Sequence, residues 1–502
     1  MELRAVSTVI AWQPWSAAAF ARARAERKAV LLSIAASWCH WCHEMDRTSY
    51  ADAGVIALIN ERFVPVRVDA DERPDISDRY NLGGWPTTAF LTPDGEILAG
   101  GTFVPPEQMH RVLSRVADEF AARAVPSPPA DVSAANSGDG RLQPGQEIAG
   151  TTPAIPATAA LADAVFASFD PMHGGFGIEP KFPLSAPVQL ALDLWQKTQD
   201  TTYRDIAVGT LDAMGWSALY DDVEGGFFRY ATTRDWQLPH YEKLLETNAT
   251  LLRLYLSAGE ILDAARFTGR AADTLRYIQN TLADPVDGGW RTSQAAEPAY
   301  YAAPSTEARR LLQAPAVCDR LYADATAAMA SAAFHAARVF GDDGLREFAV
   351  KSLERVLLAC YKPGSGVAHY HDGEPRVRGL LADQVAMSLA CLDAFDATDN
   401  IVYEMMAEEL AHYMTRDMWD EAGGGFFDRR REEPDQEVGL LRQALKPFVV
   451  NCEAACLLRR LAASSGNNDF AICAERTLAA MAPSALEQGP LAAHYLLAIR
   501  SA

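Results

Sequence analysis

The chain contains no long apolar run. No stretch of about 18 consecutive apolar residues occurs in its 502 residues, which excludes a transmembrane helix. Positive charge is scarce: Lys and Arg total 45 against 66 Asp and Glu, a net charge of −21, and no dense basic cluster offsets it. That balance repels phosphate backbones and anionic bilayers, so neither nucleic acid nor membrane is an expected partner. The segment Met1 to Trp15 lacks the basic-then-apolar order and the small-residue cleavage site of a secretory signal, and the expected compartment is the cytoplasm. Eight cysteines in that compartment are thiols, metal ligands or a redox pair rather than a disulfide framework. Six of them, Cys318, Cys360, Cys391, Cys452, Cys456 and Cys473, sit singly in helical apolar settings and read as small buried hydrophobes. An apolar fraction of 49% and a charged fraction of 22% are those of a globular protein, with chain enough for several domains.

Residues 1–123 read as mixed α/β. Lys28–Ala36, Phe63–Asp69, Thr87–Thr92 and Ile97–Phe103 are short β-rich apolar runs, the last two forming a hairpin about Pro93-Asp94-Gly95. Helical patterns fill Ser16–Arg27, Ala51–Arg62 and Glu107–Arg123. Residues 124–157, with Pro126, Pro128, Pro129, Pro144, Pro153 and Pro156 among small residues and no apolar period, read as a linker. From residue 158 to 502 nearly everything carries the helical period, in about twelve amphipathic stretches. A turn recurs among them: Asp170…Gly174-Gly175-Phe176, Asp221…Gly225-Gly226-Phe227, Asp287-Gly288-Gly289-Trp290 and Asp420…Gly424-Gly425-Phe426, with a weaker copy at Gly364-Ser365-Gly366. The second glycines, Gly366 included, are 51, 63, 77 and 59 residues apart, room for two helices and their loops each time. Six helical hairpins without a polar capping repeat at either end predict a closed (α/α)6 toroid rather than an open solenoid. Each Gly-Gly-aromatic is expected to end a helix through a left-handed glycine, with the aromatic plugging the hairpin.

Trp38-Cys39-His40-Trp41-Cys42-His43 follows a strand and opens a helix. A cysteine at a helix N-terminus feels aligned N–H dipoles that favour its thiolate. The two-residue spacer lets Cys42 close a disulfide on Cys39 or resolve a mixed one. Other readings of the string are c-type haem attachment, half of a metal site with His40 or His43, and an inert structural pair. No second C-x-x-C completes a metal site in sequence. A second mark is Gly83-Gly84-Trp85-Pro86-Thr87 before a strand. A cis Pro86 facing Cys39 would leave the Trp85 backbone free to pair with an extended substrate.

With both marks in view, the N-terminal part resembles the thioredoxin fold and, more narrowly, the thioredoxin-like family of spermatogenesis-associated protein 20. The residues that carry this are Trp15, Val30 to Ile34, Cys39-His40-Trp41-Cys42-His43-Glu44-Met45, Asn60 to Val64, Val68-Asp69…Glu72-Arg73-Pro74-Asp75, Gly83 to Gly95 and Gly101-Thr102-Phe103…Pro105-Pro106. Beyond the linker the similarity continues in Gly174-Gly175-Phe176-Gly177…Pro180-Lys181-Phe182-Pro183, in Gly225 to Tyr230…Trp236…Pro239 to Leu245…Asn248-Ala249, and weakly in Leu381-Ala382-Asp383. The resemblance implies a thioredoxin-like domain followed by an (α/α)6 toroid like those of sugar epimerases and six-hairpin glycosidases. The chain departs from the pattern in two places near the dithiol. Leu31 to Ser37 hold no acid where thioredoxins keep a buried one, which leaves proton transfer to another group such as His43. Glu44 stands where the family has Val, and a charge there is expected to raise the thiol pKa values.

In the toroid, Pro239-His240-Tyr241-Glu242-Lys243 gathers three ionisable side chains at a helix start. His240 with a carboxyl suits proton abstraction beside a sugar carbonyl, whereas two carboxylates such as Glu242 and Asp383 suit glycoside hydrolysis. Lys181 and Lys243, two of only seven lysines, are candidates to bind a carboxylate or ring oxygens, the other reading of this cluster being an internal polar network in which Glu242 pairs with an Arg or Lys and positions helices. His369 and His371 read as a solvated hairpin turn. The expected catalytic set is thus Cys39, Cys42, Pro86 and His43. Trp38, Trp41, Trp85, Lys181, His240, Glu242, Lys243 and Asp383 are expected to bind substrate, and no cofactor is expected. Three functions follow: a thiol–disulfide oxidoreductase working on a protein or small-molecule partner, a carbohydrate-active toroid with a regulatory thioredoxin-like module, or a metal-binding scaffold.

Overall fold

The structure, a computed structural model, describes residues 9–123, 158–431 and 437–501. The linker expected over residues 124–157 lies outside the described residues.

The N-terminal unit runs α1 (Ala17–Glu26), β1 (Ala29–Ala35), α2 (His40–Arg47), α3 (Ala53–Arg62), β2 (Phe63–Asp69), α4 (Pro74–Tyr80), β3 (Thr87–Leu91), β4 (Ile97–Gly101) and α5 (Pro106–Arg123). The sheet order is β2-β1-β3-β4, with β1 parallel to β2 and antiparallel to β3, and β3 antiparallel to β4. Every residue of β1 is buried, because helices cover both faces. Val30, Leu32 and Ile34 pack with Phe20, Val66 and Ile76 on one face. Leu31 points the other way, to Ile59, Phe90 and Leu113. The dithiol lies at the carboxyl end of β1, on the Val30–Ile34 side.

The second unit is the expected ring of helices. Its outer helices are α6 (Thr158–Phe166), α8 (Thr201–Gly215), α10 (Ala265–Tyr277), α14 (Asp343–Cys360), α16 (Ile401–Asp417) and α18 (Asn468–Met481). Its inner helices are α7 (Ser185–Thr198), α9 (Leu245–Leu262), α13 (Ala323–Phe340), α15 (Leu381–Thr398), α17 (Phe448–Ser465) and α19 (Ala492–Arg500). Each inner helix packs on the next, α19 packs on both α7 and α6, and the ring closes. The single-turn helices α11 (Pro298–Tyr301) and α12 (Thr306–Arg309) lie between α10 and α13. Short strands precede the inner helices: β5 (Tyr230–Ala231), β6 (Pro239–His240), β7 (Lys243–Leu244), β8 (Ser293–Gln294), β9 (Leu321–Tyr322), β10 (Ala368–His371) and β11 (Pro375–Arg378).

The recurring turns follow the outer helices α6, α8, α10, α14 and α16, and they differ from the expected helix caps. Each closes as a β-bridge between the residues flanking the turn: Phe169 with Phe176, Tyr220 with Phe227, Ala283 with Trp290, Tyr361 with Val367 and Trp419 with Phe426. The glycines have positive φ, and a side chain at Gly226 would place its Cβ 2.4 Å from the Tyr277 ring. A buried or half-buried cation pins four of the turns. Lys181 Nζ donates to Asp170 Oδ2 at 2.7 Å, Lys243 Nζ to Asp221 Oδ2 at 2.6 Å, and Lys446 Nζ to Asp420 Oδ2 at 2.6 Å. Each lysine also reaches a glycine carbonyl of its turn, and Arg355 repeats the arrangement with Asp284 and Gly288. This corrects the expectation for Lys181 and Lys243. Both are fully buried and consumed by these turn contacts, so neither presents its ammonium to a ligand.

The turns and short strands occupy the end of the ring where the inner helices begin, and the N-terminal unit sits on that end. Arg79 bonds both carboxylate oxygens of Asp428 and the carbonyls of Leu440 and Gln443. Val438 and Leu441 enter the hydrophobic core beside Tyr80, whose hydroxyl accepts from Leu440 N–H at 2.8 Å. Arg320 pairs with Glu72, and His369 Nε2 donates to the Asp71 carbonyl at 2.6 Å.

Candidate functional site

Cys39 is the N-cap of α2, where its Sγ accepts the Cys42 backbone N–H at 3.3 Å. The two thiols differ. The Cys42 side chain's hydrogen bond holds the Cys39 thiol below its ordinary value against burial, while the same bond together with burial pushes Cys42 far above it. Cys39 is thus the more acidic thiol and Cys42 the one that keeps its proton, the polarity expected of a nucleophile and a resolving thiol. Both are 2% exposed.

The toroid contributes Leu244, Val438, Leu440 and Leu441 to the apolar cluster that holds both thiols. Arg229, next to β5, lays its guanidinium 4.5 Å from the Trp38 ring centroid and 5.0 Å from that of Trp85. Trp38 meets Trp85 edge-on at 5.8 Å, which joins the dithiol loop to the Pro86 segment, whose Trp85–Pro86 peptide is cis. The positive charge of Arg229 favours the Cys39 thiolate, and the negative charge of Glu242 opposes it. Glu242, between β6 and β7, is 1% exposed, and its carbonyl accepts from Arg229 N–H at 2.8 Å. His240 stacks on Tyr230 at 4.4 Å, with Nδ1 3.6 Å from Glu242 Oε2. Of the toroid residues expected to bind substrate, His240 and Glu242 therefore gather at the dithiol.

Other expected residues lie elsewhere. His43 is half-buried on α2, one position past Cys42 and so turned about 100° from it around the helix. Among the described residues its ring makes no hydrogen bond. Glu44 is tied to Arg47 at 2.7 Å near the surface, and the carboxylate acting on Cys39 is Glu242 instead. Trp41 is exposed and packs on Phe103. Among the described residues, Cys39, Cys42, His40 and His43 form no group of three metal-ligating side chains; the one such group is Asp324, His369 and Asp383.

His369 overturns its reading as a solvated turn residue. It is 3% exposed on β10, with Nδ1 2.8 Å from Asp383 Oδ1 and Nε2 on the Asp71 carbonyl. Burial disfavours its charge, but Asp383 and Asp324 raise its pKa to about 10. Asp383 is completely buried and pushed up to about 6 by that burial, so it is a partner of His369 rather than a ligand contact. Asp71 also accepts the Trp38 indole N–H at 2.8 Å, and a continuous polar chain thus joins the dithiol loop to the inner helices.

A cavity of about 610 Å³ occupies the ring axis. Residues from all six inner helices line it, among them Glu246, Arg253, Asp324, His335, Glu453 and His494. Crowding by protein pushes Glu246 and Glu453 each up to about 7, with the Asp324 and Glu246 charges respectively adding to it. None of the candidate site residues taken from the sequence lines this cavity. The signal for its polar lining was available only as isolated polar residues on otherwise apolar inner helices.

Residues 3–124 match the family Thioredox_DsbH, described as a protein of unknown function, DUF255. The similarity to spermatogenesis-associated protein 20 extends further. The mouse protein is 32% identical over 341 residues, 61% of this chain and 42% of its own length, and the human protein is 30% identical over the same shares. The chain thus spans less than half the length of these relatives. A protein disulfide-isomerase of Schizosaccharomyces pombe is 31% identical over 72 residues, 14% of this chain and 20% of that one. The ring has the fold of sugar-converting toroids. A cellobiose 2-epimerase from Bacillus thermoamylovorans superposes with a TM-score of 0.52 at 10% identity, over 64% of this chain and 85% of that one. A D-mannose isomerase does so at 0.50 and 13% identity, over 64% and 82%. Among the described residues no helix is long and apolar enough to cross a membrane.

Proposed function

We propose that this chain is a thiol–disulfide oxidoreductase-type protein, working in the cytoplasm, in which Cys39 attacks and Cys42 resolves. The observation that carries the reading is the asymmetric pair at the α2 N-terminus: a Cys39 thiol whose Sγ accepts the Cys42 amide and which the Cys42 thiol holds below its ordinary value, with the guanidinium of Arg229 over the adjoining Trp38. Because both thiols are buried with the ring's Leu244 and Leu440 packed against their cluster, the substrate that fits is a small disulfide or an extended segment rather than the face of a folded protein. A cleft of about 520 Å³ beside Ser37 and Trp38, bounded across the gap by Cys318 and Arg320, is a route by which such a molecule reaches the loop. The test is thiol trapping in glutathione buffers on wild type, Cys39→Ser and Cys42→Ser. A single two-electron midpoint present only in wild type supports the reading, and the absence of any reversible Cys39–Cys42 disulfide refutes it.

A second reading has its own observation. The axial cavity holds carboxyls near neutrality, the condition for acid–base work on a sugar. If the ring binds carbohydrate there, cellobiose or mannose raises the melting temperature of wild type and not of Glu246→Gln or Glu453→Gln. No shift with a panel of mono- and disaccharides counts against it.

A further inference from the structure

The repeated hairpins show which polar residues the ring needs and which are additions to it. The inner helices α9, α15 and α17 each carry an amide at the fourth position, Asn248, Gln384 and Asn451. Each amide bonds both backbone groups of the residue that follows its glycine turn, Phe227, Val367 and Phe426. The third position, beside the amide, is Thr247 in α9 and Val450 in α17, but Asp383 in α15. The amide builds the ring in all three helices, and the buried carboxylate next to it belongs to one of them.

Asp383 faces His369, whose place is set by strand register. β10 pairs with β9, Tyr370 opposite Tyr322 and His371 opposite Leu321, and β9 leads directly into α13. Asp324 is the second residue of α13, which packs on α15. An imidazole from β10 thus stands beside the first turns of two neighbouring inner helices. One donor atom from each of Asp324, His369 and Asp383 lies within 4.8 Å of the other two, and His369 Nδ1 is 2.8 Å from Asp383 Oδ1. Adjacent donors of an octahedral ion with bonds of about 2.1 Å stand about 3 Å apart, and opposite donors about 4.2 Å. The other imidazole nitrogen, Nε2, is held from outside the group by the Asp71 carbonyl. That contact is the one that orients a metal-bound histidine and leaves Nδ1 as its ligand atom.

An independent observation points to a cation. Asp383 Oδ2 is cut off from solvent on a side chain with no exposure, and it has no hydrogen-bond partner among the described residues. A bare buried carboxylate oxygen is costly, and a metal ion supplies the partner it lacks. Asp324 provides the way in. It is half-buried and lines the axial cavity of about 610 Å³. Asp383 lies too deep for a substrate to touch, but an ion is small enough to reach it.

We propose that Asp324, His369 and Asp383 bind a divalent transition-metal ion at the head of the axial cavity. Two carboxylates and one imidazole, with no thiolate, suit Mn²⁺ or Fe²⁺. The ion takes the place of the Nδ1 proton that otherwise bridges His369 to Asp383. Three protein donors leave further coordination positions on the cavity side of Asp324, where water or the hydroxyl and carbonyl oxygens of a ligand complete the shell. The site is separate from the dithiol, and the assignment stands or falls apart from both readings of function above.

The experiment is Mn²⁺ binding to the reduced full chain, stripped with a chelator that is then removed. The free ion is followed by its electron paramagnetic resonance signal, which bound Mn²⁺ does not give. Mn²⁺ is the probe because thiolates hold it poorly. Wild type should fill one site per chain before the weak sites of its acidic surface. Asp324→Asn retains the side-chain oxygen that accepts from Ala325 N–H, so the start of α13 is kept, and it should weaken that site at least tenfold. Asp383→Asn should do the same; should that variant misfold, Asp324→Asn decides. Cys39→Ser should leave the site unchanged. Bound Mn²⁺ should also enhance the relaxation of water protons, since positions on the cavity side exchange with solvent. Weak surface binding alone in wild type overturns the proposal. A tight site unmoved by Asp324→Asn, or one lost in Cys39→Ser, places the ion elsewhere and overturns it too. A tight site without relaxation enhancement overturns the open positions.

Discussion

His369→Gln tests how the two units are joined. The wild-type imidazole is positively charged, because both nitrogens face acceptors: the Asp383 carboxylate at 2.8 Å and the Asp71 carbonyl at 2.6 Å. Its pKa of about 10 lies above the ordinary 6.5, so the charged ring's contribution is complete below pH 6.5 and fades as pH rises toward 10. Asp383 stands at about 6 rather than 3.8, because burial outweighs the help His369 gives it. The pair is therefore not a net gain over an apolar core, but breaking it from one side strands a buried carboxylate, at a cost of ~3–5 kcal/mol. The cost has two pH-dependent parts of opposite sense. Below pH 6 Asp383 is protonated even in wild type, which removes the stranded charge. The charged ring's own contribution is fullest there and is already fading at pH 8. The two largely offset. Urea denaturation followed by tryptophan fluorescence, at pH 5 and pH 8, is the assay, since Trp38 and Trp85 lie at the junction. The expected result is a loss of ~3–5 kcal/mol at each pH. His369→Leu combined with Asp383→Leu should lose less than His369→Gln alone at pH 8, because no charge is stranded. A loss below ~1 kcal/mol at either pH refutes the account.

Other expectations follow from the turns and the thiols. Gly226→Ala forces a Cβ to 2.4 Å from the Tyr277 ring at φ +84° and should cost ~2–4 kcal/mol, whereas Gly364→Ala, with open space and φ +66°, should cost only ~1 kcal/mol; equal melting temperatures contradict this. Lys181→Met and Lys243→Met should lower stability by ~2–4 kcal/mol each through the loss of a turn's buried pin, and neither should alter binding of a ligand that stabilises wild type. Iodoacetamide should alkylate Cys39 with a pH midpoint below an ordinary thiol's, and Arg229→Met should move that midpoint upward, because the cation over Trp38 favours the thiolate. An unmoved midpoint removes Arg229 from the site.

Much of the architecture was legible because it is local. The short β-rich runs became β1 to β4, the helical period recurred hairpin by hairpin, and a Cys-x-x-Cys between strand and helix became an N-cap. What was not legible is which residues meet across the chain. Arg229 was visible only as part of a string, and nothing near it in sequence says that it lies on Trp38 and Trp85. His369 sits in a true hairpin, β10 to β11, but whether a hairpin faces solvent or another domain is not encoded in the hairpin. The lysines are a different case, because their signal was present. Lys181, Lys243 and Lys446 follow the aspartates of three of the glycine turns by 11, 22 and 26 residues, so three of the seven lysines track a repeated structural element. Rarity alone suggests ligand contacts for the first two, whereas the repeat explains all three as pins.

The same pins bear on function. Lys243 is held between Asp221 and the rings of Phe228, Tyr277 and Tyr301, and Arg309 grips Asp221 from the other side through both carboxylate oxygens. Lys243 immediately follows Glu242 in the chain, so the turn that fixes the lysine also fixes where the Glu242 carboxylate stands relative to Cys39. A redox centre on a free-standing thioredoxin-like domain would need no such scaffold. Here two of the charged groups that act on Cys39, Arg229 and Glu242, are both on the ring. Separating the units would strip Cys39 of Arg229 and Glu242 together. Docking and thiol reactivity are therefore linked, and a perturbation of the junction far from the dithiol, such as Arg79→Met at the Asp428 contact, should raise the thiolate fraction of Cys39 at a given pH, because the opposing charge of Glu242 outweighs the favouring charge of Arg229 and both are withdrawn together.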